Sequence, residues 1–317
     1  MKAAQISEYG HADKIQIVEV AKPSVKPGGV LVEVHAASVN PWDIRVREGA
    51  VKDLLGMQLP VTLGGDFAGI VQEVGDGVDH LKRGDNVYGQ AQASARNSGA
   101  LAEFAVTQGR EVARMPRNVD FVTAAVAPLT GLSAVQVIMG HMQLHAGQKI
   151  LIHGGAGGIG TIAIQIAKHL GAYVAATATG DGIAYVRSLG ADEVIDYKTQ
   201  NFEALHDFDA VYDTVGGSTY ERSFKVVHRG GMIVSMVEQP NENLMNQYGV
   251  TAIHQLTQTS IESLDTLTKL IEDGAVTIHV DKVFPLEQVQ QAFQALETGS
   301  VKGKVAVSIA SSDSQTE

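Results

Sequence analysis

Residues 149–171 read KILIHGGAGGIGTIAIQIAKHLG, and this stretch decides the fold. The apolar run KILI at 149–152 predicts a buried strand, and the five glycines between 154 and 160 predict a tight turn. The residues from 158 to 170 follow a helical pattern. A strand–turn–helix unit of this kind presents free backbone N–H groups and the positive end of a helix dipole to an anion. The stretch therefore predicts a phosphate-binding turn.

The turn also fits the dinucleotide fingerprint G-x-G-x-x-G. That string is weak when it stands alone, but here a strand precedes it, a helix follows it, and a second apolar strand comes at 173–178. The first glycine permits the turn, the second lets the backbone approach a pyrophosphate, and the third lets the helix pack close to the strand. The alternative is a close-packed turn that binds nothing. The predicted pyrophosphate site comprises Gly155, Ala156, Gly157, Gly158, Ile159 and Gly160.

The end of the second strand indicates which dinucleotide the site takes. An NAD-specific site places Asp or Glu there to bind the ribose hydroxyls. Residues 175–180 read AATATG, without an acid, and the hydroxyls of Thr177 and Thr179 suit a 2′-phosphate. The pattern favours NADP(H). It leaves open whether Arg187 or Lys198 supplies a positive partner, or whether both are solvated surface charges.

Composition limits the classes of protein and of partner. The 317 residues suffice for about two domains, and the net charge of −11 argues against a nucleic-acid surface. Cysteine is absent, which excludes disulfides and thiolate metal sites. No apolar run reaches the length of a membrane span, and the first residues do not resemble a signal peptide. We therefore expect a cytoplasmic protein that binds neither membrane nor nucleic acid.

The rhythm of the chain predicts an α/β protein with three segments. Residues 1–122 carry short strands separated by turn signals, typical of a small barrel or sandwich. Residues 123–255 alternate strands and helices, which predicts an open, mostly parallel, doubly wound sheet. Residues 256–317 add two helices and the strand 304–309, and we expect them to return to the first domain, leaving 311–317 disordered. The strands predicted in the central segment are 149–153, 173–178, 193–196, 209–213, 231–237 and 249–253, and its helices are 158–170, 181–189 and 218–228.

Other enzyme classes lack their signatures in this chain. No tyrosine has a lysine four positions later, so a short-chain dehydrogenase is unsupported, and there is no G-x-S-x-G hydrolase motif. His141 and His145 are one helical turn apart but lack the glutamate of H-E-x-x-H. We predict no metal site.

Several further motifs resemble the medium-chain dehydrogenase/reductase superfamily, in its zinc-independent quinone oxidoreductase (zeta-crystallin-like) branch. The resemblance covers nearly the whole chain. Besides the glycine turn, it rests on ASVNPWD (37–43), LGGDFAG (63–69), PLTGLSA (128–134), GADEVIDY (190–197), DTVGG (213–217) and GKV (303–305).

This resemblance implies a GroES-like β-barrel domain, formed by the first and last segments, and a Rossmann domain between them. It implies hydride transfer from NADPH to a quinone or an α,β-unsaturated carbonyl, without zinc. Asn40 stands where zinc-dependent relatives have a cysteine ligand, Gly65 stands where they have a histidine, and the short loop 91–99 replaces their four-cysteine loop. The cofactor contacts that it implies are Thr130 near the nicotinamide, Ala156 to Gly160 at the pyrophosphate, Thr177 and Thr179 near the adenosine phosphate, Tyr197 beside it, and Val215 at the ribose.

Two residues are candidates for the chemistry. Asn40 is expected to contact the substrate or the nicotinamide amide, or alternatively to cap the turn before Pro41. Asp43 is expected to hold the local network or to accept from a ribose hydroxyl, or alternatively to cap the following segment. For Tyr197, the alternative is an ordinary half-buried tyrosine after a strand.

The wider alternatives stay open at this point. A quinone reductase and an enone reductase fit the same sequence, and an NADPH-binding sensor without turnover is a second class. RNA binding is disfavoured by the net charge of −11. A homodimer is expected, in which the strand near 249–253 pairs with its copy across a twofold axis.

Overall fold

The computed structural model describes residues 1–91 and 98–309. Most of the loop 91–99 and the segment 311–317, for which the sequence predicts disorder, therefore lie outside the described residues. The chain divides into two compact units, which are named here by their sheets. The barrel unit comprises Met1–Leu129, Thr259–Glu272 and the described residues from His279 onward, and the dinucleotide unit comprises Thr130–Gln258 and Asp273–Ile278.

Most strands of the barrel unit lie in the first part of the chain. Its first part contains β1 (Lys2–Ile6), β2 (Gln16–Glu19), β3 (Gly29–Val39), α1 (Pro41–Arg47), α2 (Lys52–Leu55), β4 (Val61–Thr62), β5 (Asp66–Val74), β6 (Asn86–Gln90), β7 (Phe104–Gln108), β8 (Val112–Arg114) and α3 (Phe121–Ala125). Helix α4 (Pro128–Val135) leads into the dinucleotide unit.

The dinucleotide unit alternates strands and helices along the chain. It contains β9 (Lys149–Ile152), α5 (Gly158–His169), β10 (Tyr173–Ala178), α6 (Asp181–Ser188), β11 (Glu193–Asp196), β12 (Phe208–Asp213), α7 (Ser218–Ser223), β13 (Val227–Ser235), α8 (Glu242–Tyr248) and β14 (Thr251–His254). The chain then returns to the barrel unit with α9 (Ile261–Glu272), β15 (Val280–Pro285), α10 (Val289–Glu297) and β16 (Lys304–Ser308).

The sheet of the dinucleotide unit confirms the predicted doubly wound class. Its six strands lie in the order β11-β10-β9-β12-β13-β14, and every pairing among them is parallel. The strand order reverses between β9 and β12, which is the switch point where such sheets bind ligands. The glycine turn follows β9 and therefore lies at this point.

In the barrel unit, strands from both ends of the chain share a sheet. A seven-stranded sheet has the order β15-β16-β3-β5-β6-β8, with β7 also paired to β3, and β16 runs antiparallel to β3. The first and last predicted segments therefore meet in one sheet. The boundaries predicted at 122/123 and 255/256 stay predictions.

The helix predicted over 218–228 is wrong at its C-terminal end. Helix α7 stops at Ser223, and Val227 already belongs to β13. The pairing of Val227 with Phe208 on β12 explains the difference, because this tertiary contact outweighs a local helical pattern. A register shift between Phe208 and Ala210 accommodates the extra residues.

A buried tyrosine joins the C-terminal segment to the barrel sheet. The hydroxyl of Tyr88 on β6 donates to the carbonyl oxygen of Leu264 on α9 (2.7 Å) and lies 2.9 Å from Thr268 Oγ1.

We predict that Tyr88→Phe lowers the free energy of unfolding by about 1 kcal/mol, since this hydrogen bond is lost in a buried place. Urea unfolding measures the effect. The control is Tyr173→Phe, whose hydroxyl bonds the exposed Glu193 (3.0 Å); an equal loss in both variants would contradict the assignment.

Candidate active site

The glycine turn brings the start of α5 against the end of β9. Gly154 adopts a left-handed conformation (φ +73°), and the N–H of Gly157 donates to its carbonyl oxygen (3.0 Å). The N–H of Gly155 donates to the carbonyl oxygen of Thr177 (2.9 Å), which ties the turn to β10. A Cβ on Gly160 would lie 2.3 Å from the Gly154 oxygen. Only glycine at 160 permits this close approach of helix and strand.

The start of α5 fits the diphosphate of a dinucleotide. The first bond within the helix runs from the Thr161 N–H to the Gly157 oxygen (3.0 Å), so the preceding N–H groups have no partner within α5. The helix is 12 residues long, and its dipole places partial positive charge at this end. Ala156 to Ile159 are half-buried, whereas Gly155 and Gly160 are buried. The predicted pyrophosphate residues therefore form one turn that can bind an anion.

The two threonines at the end of β10 differ in what their hydroxyls contact. Thr177 is 3% exposed, and its hydroxyl accepts from the N–H of Gly154 (3.2 Å) and lies 3.3 Å from Nδ1 of His153. Thr179 is half-buried, and its hydroxyl lies near the carboxylate of Asp196 at the end of β11. Thr179, just beyond β10, is therefore the more accessible of the two threonines to an adenosine phosphate.

The residues around Asp196 gather at the same strand ends. The pKa of Asp196 lies below its usual range because the backbone N–H of Lys198 donates to its carboxylate and the Thr179 hydroxyl lies close to it. Tyr197 is 56% exposed, and its N–H donates to the Ala178 oxygen (3.3 Å). Arg187 lies in the last turn of α6, and Lys198 follows the end of β11 by two residues.

Two further predicted contacts lie on other elements of the dinucleotide unit. Val215 follows β12 and is 52% exposed, while its N–H donates to the buried carboxylate of Asp213 (3.0 Å). Asp213 also accepts from the N–H of Gly216 (3.0 Å) and from the Ser235 hydroxyl (2.7 Å), so it shapes this loop. Thr130 is buried in α4. The role of Asp213 was not assigned from the sequence, although the motif DTVGG contains it.

In the barrel unit, Asn40 and Asp43 belong to a buried polar cluster. Asn40 is 2% exposed and precedes α1, and Asp43 accepts from its backbone N–H (2.8 Å). The side-chain oxygen of Asn40 accepts from the ammonium of Lys304, and its nitrogen donates to Asp66 (2.8 Å). Both ends of the Asn40 amide are therefore oriented by charged neighbours, and Asp43 forms a capping box with Asn40 at the start of α1.

Sequence reasoning assigned no role to the two charged residues that complete the cluster. Asp66 is fully buried and accepts from three further donors, which are the Ser38 hydroxyl (3.0 Å), the Gln90 amide (2.8 Å) and the Leu129 N–H (3.1 Å). Lys304 on β16 is 5% exposed and also donates to the Val39 oxygen (3.0 Å). The motifs LGGDFAG and GKV contained both residues, but sequence spacing could not show that they meet.

The charges of this cluster favour one extra proton. Two buried carboxylates face one ammonium, which leaves one negative charge unbalanced if all three ionise. Asp66 has four donors, whereas the donor found for Asp43 is the Asn40 N–H. Burial, reinforced by the charge of Asp66, raises the pKa of Asp43 to about 7, although the Asn40 N–H and Lys304 oppose the shift. Burial also lowers the pKa of Lys304. The proton therefore resides on Asp43 below neutral pH.

Within residues 1–91 and 98–309, no three His, Asp or Glu side chains come together as metal ligands. Over the same ranges, no helix has both the length and the hydropathy needed to cross a membrane.

Comparison with known proteins places the chain among dehydrogenases. Residues 26–117 match the alcohol dehydrogenase GroES-like domain, and residues 189–307 match the family described as zinc-binding dehydrogenase. The chain is 37% identical to 2-methylene-furan-3-one reductase of Solanum lycopersicum, over 97% of this chain and 79% of that protein. It is 36% identical, with the same coverage, to the chloroplastic NADPH-dependent alkenal/one oxidoreductase of Arabidopsis thaliana.

Solved structures agree with these relatives. The quinone oxidoreductase of Coxiella burnetii superposes with a TM-score of 0.89 at 32% identity, covering 98% of this chain and 99% of that one. The Escherichia coli quinone oxidoreductase complexed with NADPH superposes with a TM-score of 0.88 at 29% identity, covering 97% and 100%. The family description mentions zinc, but this chain contains no cysteine that could act as a ligand.

The raised pKa of Asp43 predicts how stability depends on pH. The folded protein keeps a proton on Asp43 up to about pH 7, whereas the unfolded chain releases it near pH 4. Stability due to this proton is therefore lost as pH rises between these values. From pH 5 to pH 7, we expect the wild type to lose on the order of 2 kcal/mol more unfolding free energy than Asp43→Asn. Urea unfolding at both pH values measures this.

The control for this comparison is Asp53→Asn, which removes an exposed carboxylate on α2. Its pH dependence should follow that of the wild type. If Asp43→Asn also followed the wild type, the proton would reside elsewhere.

Proposed function

Because the chain belongs to the quinone oxidoreductase branch of the medium-chain dehydrogenase/reductase superfamily, we propose that it transfers hydride from NADPH to a quinone or an α,β-unsaturated carbonyl, without zinc. The observation that carries this conclusion is the glycine turn at the switch point of a six-stranded parallel sheet. The names of the relatives, which include NADPH-dependent alkenal/one oxidoreductase and quinone oxidoreductase, support the choice of coenzyme and acceptors.

The dinucleotide unit binds and orients the coenzyme in this proposal. When bound, NADPH supplies the hydride, and the protein supplies position and charge. The N–H groups at the start of α5 hold the diphosphate, and the Thr179 hydroxyl and Tyr197 meet the adenosine phosphate. Val215 contacts the ribose in this proposal. Its side chain is exposed just beyond β12 and is therefore accessible to a ligand. Thr130 lies near the nicotinamide.

In the proposal, Asn40 contacts the reacting groups through its amide, which the buried polar cluster orients. Lys304 holds the oxygen of the Asn40 amide and Asp66 holds one N–H, while the distance from its nitrogen to Ser38 Oγ is a long 3.5 Å. We assign the second N–H of this amide to the substrate oxygen or the nicotinamide amide. Asp43 acts on Asn40 through the backbone N–H. Water supplies the proton that the reduced acceptor takes up.

A homodimer in the cytoplasm completes the proposal. Strand β14 lies at the edge of the six-stranded sheet, next to β13. An edge strand offers unpaired backbone groups, which a second copy can pair across a twofold axis. The cytoplasmic location stays a prediction from the sequence.

The activity is tested by NADPH oxidation with benzoquinone, naphthoquinone and a short enone, followed by product analysis. We expect turnover with at least one acceptor class, unchanged by a metal chelator. Gly160→Ala should weaken NADPH binding by on the order of tenfold or more, because its Cβ would lie 2.3 Å from the Gly154 oxygen. Saturable NADPH binding without turnover on any acceptor would favour the sensor alternative instead.

The dimer is tested by light scattering during size exclusion at a series of protein concentrations. We expect a mass of twice the 33.5 kDa of one chain at micromolar concentration. A stable monomer under these conditions would contradict pairing through β14.

A further inference from the structure

His153, the residue before the glycine turn, is buried and tied to the neighbouring strand. It is 0% exposed and directly follows β9. Its backbone N–H donates to the backbone carbonyl oxygen of Tyr212 on β12 (2.9 Å), and its own carbonyl oxygen accepts from the Thr214 hydroxyl (2.8 Å). The backbone of His153 is therefore fixed on both sides, and its imidazole projects into the interior of the dinucleotide unit.

The hydrogen bonds of its ring can run in only one direction. The hydroxyl of Ser223 on α7 donates its single hydrogen to the Thr219 oxygen (2.7 Å), so it can only accept from His153 Nε2 (3.0 Å). Nε2 therefore carries the proton. In a neutral ring Nδ1 is then an acceptor, and the Thr177 hydroxyl donates to it (3.3 Å).

The ring is neutral because it is buried. Burial, with a smaller contribution from the Arg222 charge, lowers the pKa of His153 to about 3. The edge-on contact with Phe202, whose ring centroid lies 4.6 Å away, adds an apolar wall. The ring therefore keeps the same hydrogen-bond direction across the physiological pH range.

The arrangement of donors and acceptors at the His153 ring is connected to the glycine turn by Thr177. The Thr177 hydroxyl donates its hydrogen to Nδ1 of His153, and its oxygen accepts from the N–H of Gly154 (3.2 Å). Gly154 is confined from the other side as well, since a Cβ on it would lie 2.5 Å from Thr214 Oγ1. Its carbonyl oxygen is the atom against which Gly157 and Gly160 pack.

We propose that His153 and Thr177 are positioning residues for the coenzyme diphosphate. They form a chain of hydrogen bonds with fixed donors and acceptors, from Ser223 on α7 to Gly154, which is called the relay below. This inference rests on the proposed function. It gives Thr177 a different role from the direct phosphate contact that the family resemblance implies. Thr177 then serves NADPH and NADH equally, because both carry the diphosphate, whereas Thr179 serves only the coenzyme with a 2′-phosphate.

The first test compares Thr177→Val with Thr177→Ser in titrations with NADPH and NADH. Valine keeps the shape and removes the hydroxyl, so Kd should rise on the order of tenfold for both coenzymes, with their ratio unchanged. Serine restores the hydroxyl and should restore the affinity. Thr179→Val should raise Kd for NADPH alone. A rise confined to NADPH in Thr177→Val would overturn the proposal, as would unchanged binding of both coenzymes.

The second test uses two amides at position 153 that mimic different ring nitrogens. In His153→Asn, the side-chain oxygen can accept from Thr177, as Nδ1 does. In His153→Gln, the longer amide reaches towards Ser223, and Thr177 loses its acceptor. We expect His153→Gln to bind both coenzymes several-fold more weakly than His153→Asn, at a similar unfolding midpoint. Equal affinities, or affinities that simply follow the unfolding midpoints, would reduce His153 to a packing residue.

The wild type separates this inference from the proposed function. If the wild type bound neither coenzyme, the proposed function would fail. If it bound both while the variants behaved like it, only the relay would be wrong.

Discussion

The close approach of α5 to the end of β9 is the constraint on which the coenzyme site depends. With a side chain at 160, its Cβ would lie 2.3 Å from the Gly154 oxygen, so the helix start would move away from the strand. The N–H groups that face a diphosphate would move with it. The same Gly154 is held from behind by the Thr177 hydroxyl, which His153 orients. The anion site is therefore a property of packing within the unit as well as of the turn itself.

The barrel unit meets a different physical requirement, which is the balance of buried charge. Two carboxyl groups, of which Asp43 carries a proton below neutral pH, and one ammonium are withdrawn from water, and such groups are tolerated only when they are paired and hydrogen-bonded. Asn40 joins them, because its amide accepts from Lys304 and donates to Asp66. Lys304 comes from β16 and Asn40 follows β3, so the cluster also links the two ends of the chain.

Sequence patterns predict secondary structure that depends on neighbouring residues, but they do not predict contacts between residues far apart in the chain. Strands 173–178 and 193–196 were predicted with their observed bounds, because alternation and turn residues act within a few positions. The fold class followed from the same short-range patterns. The bond between Lys304 and Asn40 joins residues 264 positions apart, and no spacing rule reaches that far. The contact between Thr177 and His153, 24 positions earlier, is likewise one that no local pattern predicts.

The central claim is that a dinucleotide rests its diphosphate on the start of α5. A crystal structure of the protein grown with saturating NADPH tests it most directly. We expect diphosphate oxygens within hydrogen-bonding distance of the backbone N–H groups of residues 158–160, with the 2′-phosphate beside Thr179. A coenzyme bound elsewhere, with the turn at Gly154 to Gly160 left to solvent, would contradict it.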